Sequence, residues 1–154
     1  MDTIKIQYKH TQIVWLTLYT LGGGLVFCLI LLVLQVFNPG MKGFNPALFM
    51  LAGILAVSLL LFYKLTITID RTCINIRFGT GIIRKTFILK DIAGLLTVKN
   101  HWYYGWGIHH TPCGWLYNVS GLHAVEITTK SGRKYRLGTD EPDALEKAIR
   151  SSLP

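Results

Sequence analysis

Two stretches of this chain carry no charged residue, Ile13 to Phe37 and Phe44 to Tyr63. Nothing else in the sequence limits the fold so strongly, because uncharged apolar runs of that length must be kept away from water. As helices they would be roughly 37 Å and 30 Å long, at about 1.5 Å per residue. The hydrocarbon core of a bilayer is about 30 Å thick, so the expectation is two transmembrane helices, the first tilted. The connector "NPGMKG", residues 38–43, is short and rich in helix breakers, which forces an antiparallel hairpin over 13–63. Gly22, Gly23 and Gly24 on one helix and Ala52, Gly53 and Ala56 on the other would let the two approach closely. A cleaved signal peptide fits poorly, since the apolar run is too long and lacks a small-x-small site. Phe27 is too bulky to precede Cys28 at a lipid-attachment site.

The rest of the 154 residues has the composition of one small globular domain. The positive mean hydropathy of +0.39 comes from the apolar hairpin. Lys5 and Lys9 precede the first run, Lys64, Arg71, Arg77, Arg84 and Lys85 follow the second, and the connector has only Lys42. The positive-inside rule then predicts a multi-pass membrane protein with both termini cytoplasmic and the connector outside. Residues 1–12 become a cytoplasmic N-terminal segment and residues 64–154 a cytoplasmic domain. Free cysteines at 28, 73 and 113 agree with a reducing compartment.

From Lys64 onward the apolar period becomes two. "KLTITID" places Leu65, Ile67 and Ile69 on one face, and "CINIRFG" does the same with Ile74, Ile76 and Phe78. "IIRKTFIL" continues a meander of half-buried antiparallel strands. "DIAGLLTV", 91–98, reads equally as a buried strand or a short helix. "HAVEITTKSGRKYRLGT" is a hairpin turning at Ser131-Gly132, with Val125 and Ile127 facing inward. "TDEPDALEKAIRSS" begins with capping candidates Thr139 and Asp140 and carries an apolar stripe of Leu145, Ala148 and Ile149, which predicts one amphipathic C-terminal helix.

Between these lies "NHWYYGWGIHHTPCGWLYNVSG", 100–121, the strangest stretch of the chain. Its rings suit an interface or a headgroup zone, and its glycines let the backbone bend. The expectation is a strand pair near 106–110 and 115–119 with Trp115 or Tyr117 in the core. Tyr103, Tyr104, Trp106 and His109 are the candidate partner-binding residues. His101, His109, His110, Cys113 and His123 raise a metal-dependent protein or enzyme as the alternative. However, adjacent strand residues point to opposite faces and no C-x-x-C or H-x-x-x-H pair exists. Ser120, His123 and Asp140 sit in no recognisable nucleophile motif. No catalytic residue, metal or cofactor is expected.

"WYYGWGI" (102–108), "GWLYNVSGL" (114–122), "AVEI" (124–127) and "GTDEPDAL" (138–145) resemble small bacterial membrane proteins that carry a pleckstrin-homology-like (PH-like) domain. The resemblance covers roughly residues 64–150. It departs at His109 and His110, where basic residues are common in such proteins. It implies a PH-like barrel or sandwich of about seven antiparallel strands closed by one C-terminal helix, and no catalytic residues. Residues 64–154 hold 13 Lys and Arg against 7 Asp and Glu. That excess makes Lys64, Arg84, Lys85, Arg133, Lys134 and Arg136 candidates for anionic lipid headgroups. The reading is a non-enzymatic binding or scaffold module at the inner face of the membrane. Its expected partners are the bilayer, crossed twice, a second membrane protein or another copy of the chain, and anionic lipid. Nucleic acid is not among them.

Overall fold

The computed structural model of the protein describes residues 6–37 and 45–153. The expected connector, 38–43, lies outside them, as does Lys5. A strand, β1 (Tyr8–Ile13), runs directly into the helix α1 (Trp15–Phe37), and α2 (Pro46–Phe62) runs directly into β2 (Lys64–Ile69). Then follow β3 (Cys73–Phe78), β4 (Ile83–Ile88), β5 (Ile92–Lys99), β6 (Gly107–Thr111), β7 (Gly114–Asn118), β8 (His123–Thr129), β9 (Lys134–Gly138) and the closing helix α3 (Pro142–Ser152).

The strands form two sheets, ordered β1-β2-β3-β4 and β5-β8-β9-β7-β6. Alternation decides what each sheet buries. Leu65, Ile67 and Ile69 lie opposite Phe78, Ile76 and Ile74, and all six side chains are buried. The second sheet contributes Tyr117, Val125, Ile127 and Leu137 to the same core. Tyr117 meets Phe78 and Phe87 of the first sheet, with ring centroids 6.4 Å and 6.2 Å away. The stripe of α3 completes the core with Leu145 and Ile149, both fully buried, each gaining about 1.5–3 kcal/mol from leaving water. α3 lies against β5, β8 and β2.

The expected fold class needs correcting in three places. First, only α1, at 23 residues, is long and apolar enough to cross a membrane. Within the second uncharged run Phe44 lies outside the described residues, Asn45 is the helix N-cap, where its side chain accepts from the Leu48 amide, and Tyr63 is the C-cap. The 17 residues left in α2 rise only about 26 Å, less than the hydrocarbon thickness. By length, α2 does not qualify as a second span, which leaves one span candidate among the described residues. Second, the domain is two sheets of four and five strands rather than a barrel or sandwich of about seven antiparallel strands, and β7 pairs with β9 in parallel. Third, the supposed N-terminal segment contains β1, an edge strand of the first sheet. The run at 91–98 resolves into strand: a 3-10 turn at Leu89–Asp91 leads into β5.

Because β1 and β2 are neighbours, α1 leaves the domain where α2 returns to it. The Val14 amide donates to the Tyr63 carbonyl (3.0 Å), the Gly79 amide to Lys64 (2.8 Å) and the Thr80 amide to Leu60 (3.3 Å). Gly79 has φ +49°, and a Cβ there would collide with the carbonyl oxygens of Leu60 and Leu61. Of the glycines expected between the helices, only at Gly24 would an added Cβ meet the other helix, 3.5 Å from a Leu55 methyl. Gly22, Gly23 and Gly53 have open space around them.

Candidate functional site

The aromatic stretch forms a short loop between β5 and β6. Asn100 ends β5: its amide donates to the Leu122 carbonyl (2.6 Å), and its buried side-chain oxygen accepts from Arg136 (3.0 Å). A 3-10 turn, Trp102–Tyr104, follows and is stopped by Gly105 at φ +67°. The rings order one another. His101 stacks on Tyr103 with centroids 5.0 Å apart, and Tyr104 meets both edge-on, at 5.4 Å and 4.9 Å. Trp102 packs against the edge of Tyr103 at 6.1 Å. Despite this mutual packing, Trp102, Tyr103 and Trp106 remain 80%, 62% and 54% exposed. The loop thus offers a large, ordered apolar surface, and rigid rings lose little entropy on being covered.

Its position is set by the helices. Trp106 and Gly107 line a hollow of about 200 Å³ with Thr17 of α1, Phe62 of α2 and Val119. Gln12, the buried penultimate residue of β1, donates to the Ser120 hydroxyl (2.7 Å) and pins the neighbouring loop to the same root. Trp15 and Tyr19 stack in the first turns of α1, both exposed, and Lys64 lies over the Tyr63 ring at 5.0 Å. Trp15, Tyr19, Tyr63 and Trp106 therefore gather where the apolar helices meet the domain, as aromatic residues do at a membrane–water boundary.

The expected partner-binding residues separate into two groups. Tyr103 and Trp106 are on the surface. Tyr104 is half-buried with its hydroxyl 4.0 Å from the Cys113 sulfur, and His109 is half-buried with Nε2 enclosed and without a hydrogen-bond partner among the described residues. Replacing either would disturb packing before it disturbed a contact. Trp102 is the most exposed ring of the loop and completes the surface that Tyr103 and Trp106 begin. Tyr117 is core and Trp115 is not, being 44% exposed.

The histidines and cysteine of this stretch do not converge. His109 lies opposite Leu116, and His110 lies opposite Trp115, whose ring it meets edge-on. Among the described residues no three His, Cys, Asp or Glu side chains are grouped as metal ligands. Ser120 is engaged by Gln12, and Asp140 by His10 at 2.6 Å, so the two carry no shared chemistry with His123.

The candidate lipid-binding cations also divide. Glu126 is buried and sits between Arg136 (2.8 Å) and Lys134 (3.1 Å). Burial pushes its pKa up, but the hydrogen bonds and charges of Arg136 and Lys134 outweigh that and hold it below the usual carboxylate range. Arg136 and Lys134 are thereby committed to the fold. Arg133 is exposed at the β8–β9 turn, at the end of that hairpin away from Ser120 and α1. Lys64, Arg84 and Lys85 lie in the first sheet, with Lys64 at the root of α2. What the sequence reading missed in this sheet are Lys9, Thr66 and Thr68, which share the outer face with Arg77. The signal was present as the polar half of each alternating strand.

Compared with known proteins, the chain matches no family model, no curated protein and no solved structure.

Proposed function

We propose that this protein is a non-enzymatic binding module anchored in the bacterial inner membrane by α1, with its β-domain on the cytoplasmic side. It engages another membrane protein at the bilayer surface through Trp102, Tyr103 and Trp106, and anionic lipid is the second ligand class that its basic charge favours. The excess of Lys and Arg after α2 supports the cytoplasmic side. The observation that carries the reading is the hollow that Trp106 lines together with Thr17 and Phe62. It ties an ordered, exposed aromatic loop to the foot of a helix long enough to cross the membrane, so whatever the loop meets is met at that level. Clustered aromatics of this kind dominate the energy of protein contacts. The buried carboxylates Asp70 and Glu126 are bound by partners within the fold, which favours binding over acid–base chemistry.

A photo-crosslinking residue at Tyr103, with a control at Trp115, tests this in intact membranes. The expected result is a discrete protein adduct from position 103, absent from 115 and lost when Trp102 and Trp106 are both changed to Ala. Adducts to lipid alone, or equal capture from both positions, would overturn the protein-partner reading.

A further inference from the structure

The outer face of the four-stranded sheet carries a groove of about 450 Å³ that no part of the described chain fills. Cations and hydroxyls line it. Lys64 and Thr80 lie at one end, Arg77 and Thr66 in the middle, and Lys9 and Thr68 beyond. Lys9 and Arg77 form no ion pair among the described residues, and Lys64 meets only the Tyr63 ring. Arg77 lies directly across from Arg84 on the next strand. Like charges in that position repel, and neither side chain forms an ion pair among the described residues. Four acids of the domain are paired elsewhere: Glu126 with Arg136 and Lys134, Glu146 with Arg150, Asp140 and Glu141 with His10; Asp91 and Asp143 do not line the groove. Asp70, the one acid lining the groove, has both oxygens occupied by Thr72, Cys73 and Asn75. The hydroxyls of Thr68 and Thr80 make no hydrogen bond among the described residues and are free to donate.

An oxyanion with several acceptor oxygens would relieve the Arg77–Arg84 repulsion and take the threonine donors at once. Arginine's planar fork suits a phosphate group in particular. Location narrows the source. Lys64 is the first residue after the α2 cap, and the Gly79-Thr80 turn at that end of the groove is bonded to the carbonyls of Lys64 and Leu60. A molecule whose apolar part lay along the helices would place its polar head there.

We propose that this groove binds the phosphate of an anionic phospholipid headgroup, with Arg77 and Lys64 as charge partners and Thr68 and Thr80 as hydroxyl partners. The proposal rests on α1 lying in the bilayer, and it concerns a surface separate from the aromatic loop. Free inorganic phosphate presents the same chemistry, so the test has two arms. Full-length protein is extracted into phosphatidylcholine nanodiscs containing a minor fraction of phosphatidylglycerol, and retained lipid is read by mass spectrometry. Phosphatidylglycerol is expected to be enriched on the wild type. Arg77→Gln should reduce the enrichment about tenfold, as loss of a charged hydrogen bond does. Thr68→Val should reduce it several-fold with charge unchanged, and Arg133→Gln should leave it alone. Equal losses in Arg77→Gln and Arg133→Gln would mean diffuse attraction and would overturn the site. In the second arm inorganic phosphate is added to lipid-free detergent samples. Thermal protection that needs Arg77, without lipid enrichment, would overturn the lipid assignment in favour of the free anion. Neither effect would overturn the groove as a site. A carbonate wash of membranes separates this from failure of the anchoring reading, because release of the wild type would sink the anchor, whereas retention without anion binding would sink only the groove.

Discussion

Asp70 is buried yet held ionised. Burial alone would raise its pKa, but the Cys73 thiol, the amides of Thr72 and Cys73 and the Thr72 hydroxyl all donate to it, and the net effect lowers it from 3.8 to about 2. The same arrangement raises the Cys73 thiol, through burial first and the neighbouring carboxylate second. A carboxylate whose folded pKa is depressed contributes stability above its unfolded pKa and loses it as pH falls toward the folded value. Thermal melts in detergent should therefore show an Asp70-dependent decline between about pH 4 and pH 2, and Asp70→Asn should remove that part of the decline. At neutral pH the same variant should cost about 1–3 kcal/mol, from weakened hydrogen bonds to the turn. A variant with an unchanged acid limb would show the turn to be held by other means. Gly79 gives a second residue-scale expectation. Gly79→Ala meets two backbone carbonyls at a positive φ, so it should destabilise by at least about 1–3 kcal/mol in chemical unfolding. Gly132→Ala, whose Cβ meets nothing within 4 Å, should cost less.

At the scale of elements, the chain shows which patterns are legible. β2, β3, β8 and β9 could be read because their inward positions are apolar and their outward ones polar, and α3 because its stripe has the helical period. β1 could not, because the residues it turns inward are Tyr8, His10 and Gln12, none of them aliphatic. They are accommodated by partners far along the sequence. His10 meets Asp140 at 2.6 Å and Glu141 at 3.4 Å, and Gln12 meets Ser120. Tyr8 is driven up to about 12 by burial and by the same two acids. Asp140, expected as a helix cap, is spent on His10, and the Thr139 hydroxyl accepts from the Glu141 amide instead. The start of α3 thus depends on β1. His10→Ala should raise amide exchange in the first turn of α3 as well as in β1, with a loss of about 1–2 kcal/mol. Exchange confined to β1 would show the two elements to be uncoupled. α2 is shorter than its uncharged run for a local reason: absence of charge says nothing of where caps fall, and Asn45 and Tyr63 bound the helix at 17 residues.

For the whole molecule, the two sheets share one core through Tyr117, Phe78 and Phe87. They should melt in a single transition, since neither buries its inner face without the other. Hydrogen exchange at Ile76 and at Ile127 should report the same opening energy, and Tyr117→Ala should lower both together by about 3 kcal/mol. Two separable transitions would contradict a common core. The exposed half of the aromatic loop was anticipated from composition, but which rings face out depends on the 3-10 turn and the packing around His101, which no periodicity encodes. The placement of β1 has a further consequence, for synthesis. Its register partner, β2, emerges from the ribosome only after residues 14–63, the entire apolar segment, have been made. Until then β1 has no neighbour, and afterwards β2 exposes a bare edge until β1 joins it. Closing the sheet over so long an intervening segment is entropically costly and slow unless the membrane brings its two ends together. If α1 is anchored as proposed, its delivery to the bilayer becomes a step in folding the domain, and a chain that missed the membrane would retain an open sheet edge for quality control to find.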